Sequence, residues 1–272
     1  MFSSKKRVDK LNASSIHDVI AFEYRCFLGQ MDIFNSIGST NTYLLECART
    51  GGTSGWVCIA DHQTKGRGRH GRQWCSPRGT NLYFSMLWHF PVDQKNISAL
   101  SIAVAVTIAN VLKKMGVQES IELKWPNDIL FSGKKLAGIL LESLPAQQGQ
   151  IPVVIGVGLN IEPWSNPEIN GIGLAEMIEQ PISRNQLAGL IINELLKCLT
   201  EYAHFNVEPF LESWKTHDAL YNKIVNVITP TRTIVGVAKG INSKGELILA
   251  HEMEGLLLFR CGEVSVRKND CV

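Results

Sequence analysis

Residues 65–74, Lys-Gly-Arg-Gly-Arg-His-Gly-Arg-Gln-Trp, combine four cationic side chains with three glycines and one histidine. Glycine lets backbone N–H groups approach an anion closely, and arginine forks match phosphate and carboxylate oxygens. Such a loop can bind a polyanion and hold a carboxylate beside it. It is not a P-loop, because no Gly-Lys-Ser/Thr follows at the required spacing. A solvated basic loop and a nucleic-acid-binding patch remain open from spacing alone.

A second stretch, 124–128, reads Lys-Trp-Pro-Asn-Asp and is followed by Lys135 and Gly138. Proline and Asn-Asp are ordinary turn residues, so a purely structural turn is one interpretation. In the functional interpretation the turn presents an amide, a carboxylate and an indole at the rim of a site. Lys135 would enter that site from the start of the next strand, and Gly138 would leave room for a ligand on the sheet.

A third stretch, Gly156 to Ile161, carries two glycines within a predicted strand. Glycines inside a strand usually mark a bulge or a close backbone approach. The pattern lacks the third glycine and the following helix of a dinucleotide-binding motif, so NAD binding is not expected. Asn160 is interpreted either as a strand-end cap or as an amide that contacts a ligand.

Alternating helix and strand patterns predict the elements that position these three stretches. The predicted helices cover 40–49, 97–115, 183–205 and 208–220, with a further short helix within 11–27. The predicted strands before residue 222 cover 56–60, 81–90, 121–125, 129–131, 135–142 and 153–161. Ser39 is the expected N-cap of the first long helix, and Ser183 opens the helix at 183–205 in capping-box form.

From residue 222 the pattern changes to short β-type runs separated by turns, at 224–228, 234–240, 246–250 and 255–260. This spacing is typical of a small β-barrel of about fifty residues. We therefore predict an α+β fold, with a mixed sheet flanked by helices in residues 1–221 and a small β domain in residues 222–272.

Composition limits the possible classes of function. The 272 residues are 45% hydrophobic and carry a formal net charge of only +2, so bulk charge argues neither for nor against nucleic acid. Seven cysteines form no C-x-x-C pair, which favours reduced thiols and a cytoplasmic protein. The N-terminus lacks the apolar core of a secretory signal, and the apolar stretch 97–112 is shorter than a membrane span. No membrane association is expected.

Taken together and in this order, the stretches resemble the catalytic domain of biotin–protein ligases. The matching pieces are Ser39-Thr40-Asn41, the GRGRxGRxW string at 66–74, KWPND at 124–128, KLAGIL at 135–140 and GVGLN at 156–160. The resemblance covers about residues 30–272. It implies a fold like that of class II synthetases and biotin ligases, preceded by a short extension at 1–30. It also implies that residues 222–272 form an SH3-like domain.

The resemblance implies an ATP-dependent ligase that makes biotinyl-5'-AMP and pyrophosphate. The enzyme would then pass biotin to a lysine of a biotin carboxyl carrier protein, a subunit of acetyl-CoA carboxylase. Biotin's carboxylate and the α-phosphate are both anionic, so cations must offset their repulsion. Mg²⁺ is expected to arrive with ATP. The resemblance implies that Asn160 contacts the nucleotide or the metal, and no other protein ligand for the metal is assigned.

Site residues are carried over from the resemblance position by position. The implied biotin-binding residues are Ser39, Thr40, Asn41, Gln63, Arg67, Gly68, Arg69, Lys135 and Gly138. The implied ATP-binding residues are Arg67, Arg69, Trp74, Asn127, Lys135 and Asn160. The implied catalytic residues are Arg69, Lys135 and Asp128, with Asp128 as the group that accepts or orients the proton of the acceptor amine.

This chain departs from the family pattern at several places. Some bacterial members carry an N-terminal DNA-binding domain and act as repressors. Only residues 1–38 precede Ser39 here, so we expect neither repressor activity nor a nucleic-acid partner. His70 stands where a further arginine is common, and Gly171 stands where one branch has a tryptophan over the adenine.

Three rival functions remain open at this stage. A lipoate–protein ligase would share the fold and an acyl-adenylate intermediate. A nucleic-acid-binding module would use the basic loop alone, with salt-sensitive binding. A non-catalytic biotin-binding protein would need no ATP. The exposed edge of the central sheet could pair with the carrier or with a second copy of the chain, which leaves a homodimer open.

Overall fold

A seven-stranded mixed sheet lies at the centre of the larger part of the chain. The computed structural model describes residues 9–117, 121–164, 170–262 and 264–268; residues 1–8 of the polar N-terminus and Cys271 lie outside these ranges. The strands are β1 (Met31–Phe34), β2 (Trp56–Ala60), β3 (Leu82–Pro91), β4 (Ile121–Lys124), β5 (Asp128–Phe131), β6 (Lys134–Ser143) and β7 (Gln150–Leu159). Their order is β1-β2-β3-β7-β6-β5-β4. The β1–β2 pair is parallel and the other neighbouring pairs are antiparallel.

Helices cover both faces of this sheet. They are α1 (Ala13–Val19), α2 (Thr40–Arg49), α3 (Leu100–Lys114), α4 (Arg184–Phe205) and α5 (Leu211–His217). Alternate residues of β2 face opposite sides, as the strand period requires. Val57 and Ile59 join the core beneath α3 and α4, whereas Cys58 packs with Leu44 and Leu45 of α2. The sheet is therefore buried on both sides.

Helix α3 is apolar on nearly every side because the sheet, α4 and α5 surround it. Within the part of the chain that the structure describes, the segment Ile97–Lys114 is one helical stretch with the length and composition of a membrane span. Because 72% of that segment is buried inside the protein, it is the core helix of this fold.

A second, five-stranded antiparallel sheet follows α5. Its strands are β8 (Ile224–Ile228), β9 (Thr233–Ile241), β10 (Leu247–His251), β11 (Gly255–Phe259) and β12 (Ser265–Lys268), in the order β11-β10-β9-β8-β12. Its inward side chains are buried, Val225, Val227 and Leu249 among them. The sheet is held to the larger part by Trp125, whose Nε1 donates to Gly245 O at 3.0 Å.

The predicted fold class, a mixed sheet flanked by helices with a small C-terminal β unit, is confirmed. Helix α2 begins after Ser39 and α4 after Ser183, and each serine Oγ accepts a backbone N–H of the first turn. The predicted helices at 11–27, 97–115 and 208–220 each contain an α-helix and a separate 3-10 segment. Those segments are Phe22–Phe27, Ile97–Ala99 and Glu208–Phe210.

Two strands, β1 and β12, were not predicted. Each has four residues, and β1 shows no alternation of buried and exposed positions because it lies at the sheet edge. Short edge strands without period-two patterning give no sequence signal. Their pairing partners, β2 and β8, are what order them.

Helices α1 and α4 approach each other closely at Gly189. A Cβ added at Gly189 would lie 2.5 Å from Val19 Cβ and 2.8 Å from Ile16 O. In an open helix Gly→Ala stabilises by about 1 kcal/mol. Here the clash reverses the sign, and we expect Gly189→Ala to lower the free energy of unfolding by about 1 kcal/mol or more.

Urea unfolding followed by circular dichroism measures this change. Lys197→Ala, at an exposed position of the same helix, is the control and should change stability by less than about 0.5 kcal/mol. A stabilised Gly189→Ala variant would contradict the close packing.

Candidate active site

A cavity of about 250 Å³ opens between the central sheet, the loop 65–74 and strand β12. Twelve of the thirteen residues predicted for the site line it: Ser39, Thr40, Asn41, Gln63, Arg67, Gly68, Arg69, Trp74, Asn127, Asp128, Lys135 and Gly138. The exception, Asn160, is buried and is not part of the lining; its Nδ2 donates to Lys135 O at 3.0 Å. Asn160 therefore fixes the backbone of a lining residue.

Three glycines form the floor of the cavity. In the sheet, Gly138 of β6 is paired with Gly158 of β7, and Gly156 lies two residues before Gly158 on the same strand. A Cβ at Gly156 would lie 2.1 Å from Asn41 Oδ1, and one at Gly158 would lie 2.4 Å from Trp74 Cε2. Side chains from α2 and from the loop can reach the sheet surface only because these positions are glycine.

A buried group of hydroxyls and amides forms one end of the cavity. Ser85 Oγ lies 2.7 Å from Thr40 Oγ1 and 2.6 Å from Asn41 Oδ1. Gln63 Oε1 accepts the backbone N–H of Thr40 at 2.9 Å, and Asn41 Nδ2 donates to Glu142 Oε2 at 3.0 Å. Ser39, Thr40, Asn41 and Gln63 line this polar end and offer both donors and acceptors to a ligand, and Ser85 supports them from behind.

The loop 65–74 is held by its own backbone. Gly68 N donates to Arg72 O at 2.7 Å, and Trp74 N donates to Gly66 O at 3.0 Å. A Cβ at Gly66 would lie 2.5 Å from Trp74 O, so this crossing needs glycine. His70 has φ of 53°, a left-handed conformation that is uncommon outside glycine. The folded loop directs its arginines toward the sheet.

The two arginines of this loop that were assigned to the site have different partners. Arg67 forms an ion pair with Glu142 at 2.7 Å. Arg69 has neutral acceptors, donating to Asn127 Oδ1 at 3.0 Å and to Val264 O at 2.8 Å. Burial lowers the pKa of Arg69 from its ordinary value, although arginine stays charged at physiological pH. Its charge is therefore available to an anion in the cavity.

Lys135 and Asp128 form an ion pair, with Nζ 2.7 Å from Oδ1. At this distance the ammonium group neutralises the Asp128 carboxylate beside the cavity. Asn160 Oδ1 is buried, and no described residue donates a hydrogen bond to it. Lys135 Nζ also lies 5.1 Å from the ring centre of Trp74, a cation–π contact.

Sequence reasoning missed several residues that the fold brings to this cavity. Ser85 and Glu142 support the polar end, and Ser265, Val266 and Arg267 of β12 close the wall opposite the sheet. Ser85 had a signal, a serine within the otherwise apolar run of β3. Lys124 lines the cavity as well, although the motif analysis gave it no role.

Family models match two parts of the chain. Residues 33–160 match the biotin/lipoate A/B protein ligase family, and residues 221–267 match the biotin protein ligase C-terminal domain. The bifunctional ligase/repressor BirA of Escherichia coli is 35% identical over 258 residues, which cover 88% of this chain and 76% of that protein. The chain belongs to the biotin protein ligase family. It is accordingly a ligase.

Further relatives agree with this membership. The biotin–[acetyl-CoA-carboxylase] ligase of Mycobacterium tuberculosis is 32% identical, covering 81% of this chain and 83% of its own length. The biotin protein ligase of Aquifex aeolicus, solved with biotin and ATP, superposes with a TM-score of 0.77 at 25% identity. That superposition covers 89% of this chain and all of the Aquifex chain.

Gly171, which stands where one branch of the family has a tryptophan, packs against the indole of another residue, Trp164. A Cβ added at Gly171 would lie 2.5 Å from Nε1 of Trp164, so the indole of Trp164 packs directly against this glycine. Trp164 is half-buried and does not line the cavity. Gly171 contacts the site residue Lys135 through the backbone, in an isolated parallel β-bridge.

Ser85 is expected to stabilise the polar end of the site. Ser85→Ala leaves Thr40 and Asn41 without their buried partner, so the free energy of unfolding should fall by about 1–3 kcal/mol. Chemical unfolding tests this, with Ser143→Ala at the exposed end of β6 as the control. Equal free energies of unfolding for the two variants would mean that the Ser85 hydroxyl does not stabilise the polar end.

Proposed function

We propose that this ligase activates biotin with ATP to give biotinyl-5'-AMP and pyrophosphate, and then transfers biotin to a lysine of a carrier protein. One observation carries the proposal: a single cavity has a buried hydroxyl–amide end and a cationic end, joined over a glycine floor. The first end suits a neutral polar head group, and the second suits a carboxylate beside a phosphate.

The polar end favours biotin over lipoate. Biotin's ureido ring presents two N–H donors and one carbonyl acceptor, whereas the dithiolane ring of lipoate presents no comparable group. Buried polar side chains discriminate strongly against an analogue that leaves them unpaired. Thr40 and Asn41 line the cavity and are already bonded to Ser85; biotin would add hydrogen bonds to their remaining donor and acceptor positions, whereas lipoate would add none.

The cationic end addresses the main barrier of the first half-reaction. Arg67, Arg69 and Lys135 would surround the carboxylate and the α-phosphate, offset their repulsion and stabilise the charge that develops in the transition state. No covalent enzyme intermediate is needed. The folded loop would also keep water from the adenylate.

Mg²⁺ would come with ATP. Within the described ranges no group of three His, Cys, Asp or Glu side chains could hold a metal ion. Asp128 is the carboxylate among the lining residues, and carboxylate oxygens suit Mg²⁺, so Asp128 is the residue that would hold the ion. Bound there, Mg²⁺ would supply further charge neutralisation for the phosphates.

A biotin carboxyl carrier protein of acetyl-CoA carboxylase is the proposed acceptor. The name of the Mycobacterium relative supports this choice. Two expectations stay predictions: that the protein has no repressor activity, and that it lies in the cytoplasm. The oligomeric state stays open. A gel-shift assay with genomic DNA fragments would test the first of these predictions, and a sequence-specific shift would contradict it.

Release of pyrophosphate from ATP, with biotin as the only added acid, tests the first half-reaction. Removing one cation from the cationic end of the cavity should lower the rate of pyrophosphate release roughly 100- to 1000-fold, so we expect this loss for both Arg69→Ala and Lys135→Ala. Arg78→Ala, exposed and outside the cavity, is the control and should retain full activity. Equal turnover with lipoate, or none with biotin, would refute the proposed substrate.

Asp128 is expected to act mainly in the second half-reaction, as acceptor of the amine proton. Asp128→Asn should slow transfer from supplied biotinyl-5'-AMP to the carrier by about 100-fold or more, the usual contribution of a general base. Single-turnover labelling of the carrier measures this rate. Transfer at the wild-type rate would remove Asp128 from this role.

A further inference from the structure

Strand β11 forms one edge of the small sheet and is apolar along its whole length. In the strand order of the described residues it has β10 on one side only, and β12, which lines the cavity, lies at the opposite edge. Its sequence is Gly-Leu-Leu-Leu-Phe, and it pairs with β10 at every position without a bulge. Sheets usually block an exposed edge with charged residues, proline or a bulge. Since β11 has none of these, its outer side can accept another strand.

The outward face of this edge is exposed to solvent. Leu256 is 69% exposed and Leu258 is 56% exposed, whereas Leu257 and Phe259 turn inward and pack against the core. This alternation follows from the two-residue period of a strand. An apolar row continues inward from the edge, in register across four strands: Leu256, Ala250, Val237 and Ile224. A contiguous apolar surface of this kind typically marks an interaction site.

The strand is complementary to itself in one antiparallel register. When two copies pair about a twofold axis at Leu257, Leu256 lies opposite the partner's Leu258, and Gly255 lies opposite the partner's Phe259. Apolar cross-strand pairs stabilise a sheet, and an aromatic ring covers the space that an edge glycine leaves open. Each position of β11 therefore finds a suitable neighbour in a second copy of the same strand.

Opposite charges lie just beyond the two ends of β11. Glu254 stands immediately before the strand and Arg260 immediately after it, and both are exposed. The register centred on Leu257 brings Glu254 beside the partner's Arg260, and Arg260 beside the partner's Glu254. Glu254 already pairs with Arg232, and Arg260 with Glu246, so each end of the strand pair would carry a network of alternating charges. Charge complementarity thus selects the same register as the apolar residues.

We propose that β11 pairs with β11 of a second copy of this chain, antiparallel about Leu257, and joins the two small sheets into one continuous sheet. A twofold contact of this kind is isologous and closes as a dimer. One strand pair is small beside a standard interface of roughly 1,600 Å², so the dimer is weak and depends on protein concentration. The cavity lies at the β12 edge and stays open in both copies. The inference is therefore independent of the proposed function.

An unrelated protein that adds a strand to this edge is the other possible occupant. Such a strand need match neither Gly255 nor the charges of Glu254 and Arg260. Those features are explained together by a second copy, because the twofold axis pairs each of them with its complement. Self-association is consequently the interaction that the edge fits best.

Sedimentation velocity, measured from low to high micromolar protein, tests the association. We expect wild type to pass from monomer to dimer as its concentration rises. Leu258→Lys should weaken this association at least about tenfold, because it sets an ammonium group against the partner's Leu256. Val235→Lys is the matched control: it changes an exposed residue of β9, away from the edge, and should associate as wild type does.

Charge reversal tests the register. Glu254→Arg sets like charges together at both ends of the strand pair, and so does Arg260→Glu, so each variant alone should associate about tenfold more weakly than wild type. In an equal mixture of the two variants, opposite charges meet again at both ends. Association should then return to nearly that of wild type. Local damage in either variant predicts no such recovery, because mixing leaves each chain unchanged.

Several results would overturn the strand pair. Wild type that stays monomeric at high micromolar concentration would do so, and so would a dimer that Leu258→Lys leaves intact, which would assign the contact to another surface. An equal loss in Val235→Lys would move the contact to the face of the sheet. A monomeric wild type in which Leu258→Lys slows only transfer to the carrier would assign the edge to the acceptor protein.

Two further points keep the test decisive. If Leu258→Lys does not fold, as judged by circular dichroism, the charge-reversal variants and their mixture decide the matter, and a mixture no stronger than its components rejects the register. Association is measured without biotin or ATP. Failure of the strand pair therefore leaves the proposed function standing, and failure to form biotinyl-adenylate leaves the strand pair standing.

Discussion

Mutual repulsion among cations is the constraint on which the organisation of this site depends. Six cationic side chains line one cavity beside a single carboxylate, an arrangement that folding must hold against electrostatic repulsion. The protein limits this cost with specific partners. Arg67 pairs with Glu142, Lys135 pairs with Asp128, and Arg69 donates to two neutral oxygens. An incoming anion therefore finds charges that are already oriented, which lowers the reorganisation needed for catalysis.

The same requirement explains why the site lies at a junction of elements. No single segment supplies these cations: the loop after β2, the end of β4, the start of β6 and strand β12 each contribute. The glycine floor makes the junction possible, because Cβ atoms at Gly156 or Gly158 would overlap Asn41 or Trp74. Space on the sheet surface is thus as necessary to the chemistry as the charged groups are.

The small sheet forms part of the cavity wall. Trp125, within the turn that carries Asn127 and Asp128, donates to Gly245 O, and Arg69 donates to Val264 O. Two residues of the larger part thereby hold the small sheet against the cavity. Val264, the residue before β12, accepts this hydrogen bond. The orientation of the Arg69 guanidinium therefore depends on how the small sheet packs against the larger part.

Much of this arrangement was present in the sequence. The cationic loop and the stretch from KWPND to Gly138 contain eight of the twelve predicted residues that line the cavity, because local strings carry side-chain chemistry and turn geometry directly. The resemblance to biotin–protein ligases added the other four, Ser39, Thr40, Asn41 and Gln63. Ser39 and Ser183 likewise marked two helix starts, since capping depends on residues a few positions apart. The alternation of apolar residues in strands and their helical spacing in helices were sufficient to predict the fold class.

Contacts between residues far apart in the chain were decided only by tertiary structure. Ser85 faces Asn41 because β3 and β7 pair beneath α2, and Glu142 reaches Arg67 because β6 runs past the loop. Asn160 lies behind Lys135 instead of in the cavity wall. The four residues of β12 have no distinctive pattern, yet their pairing with β8 brings Arg267 to the site. Sheet register and domain docking set these positions, and both depend on the packing of the whole chain, which no local string of residues specifies.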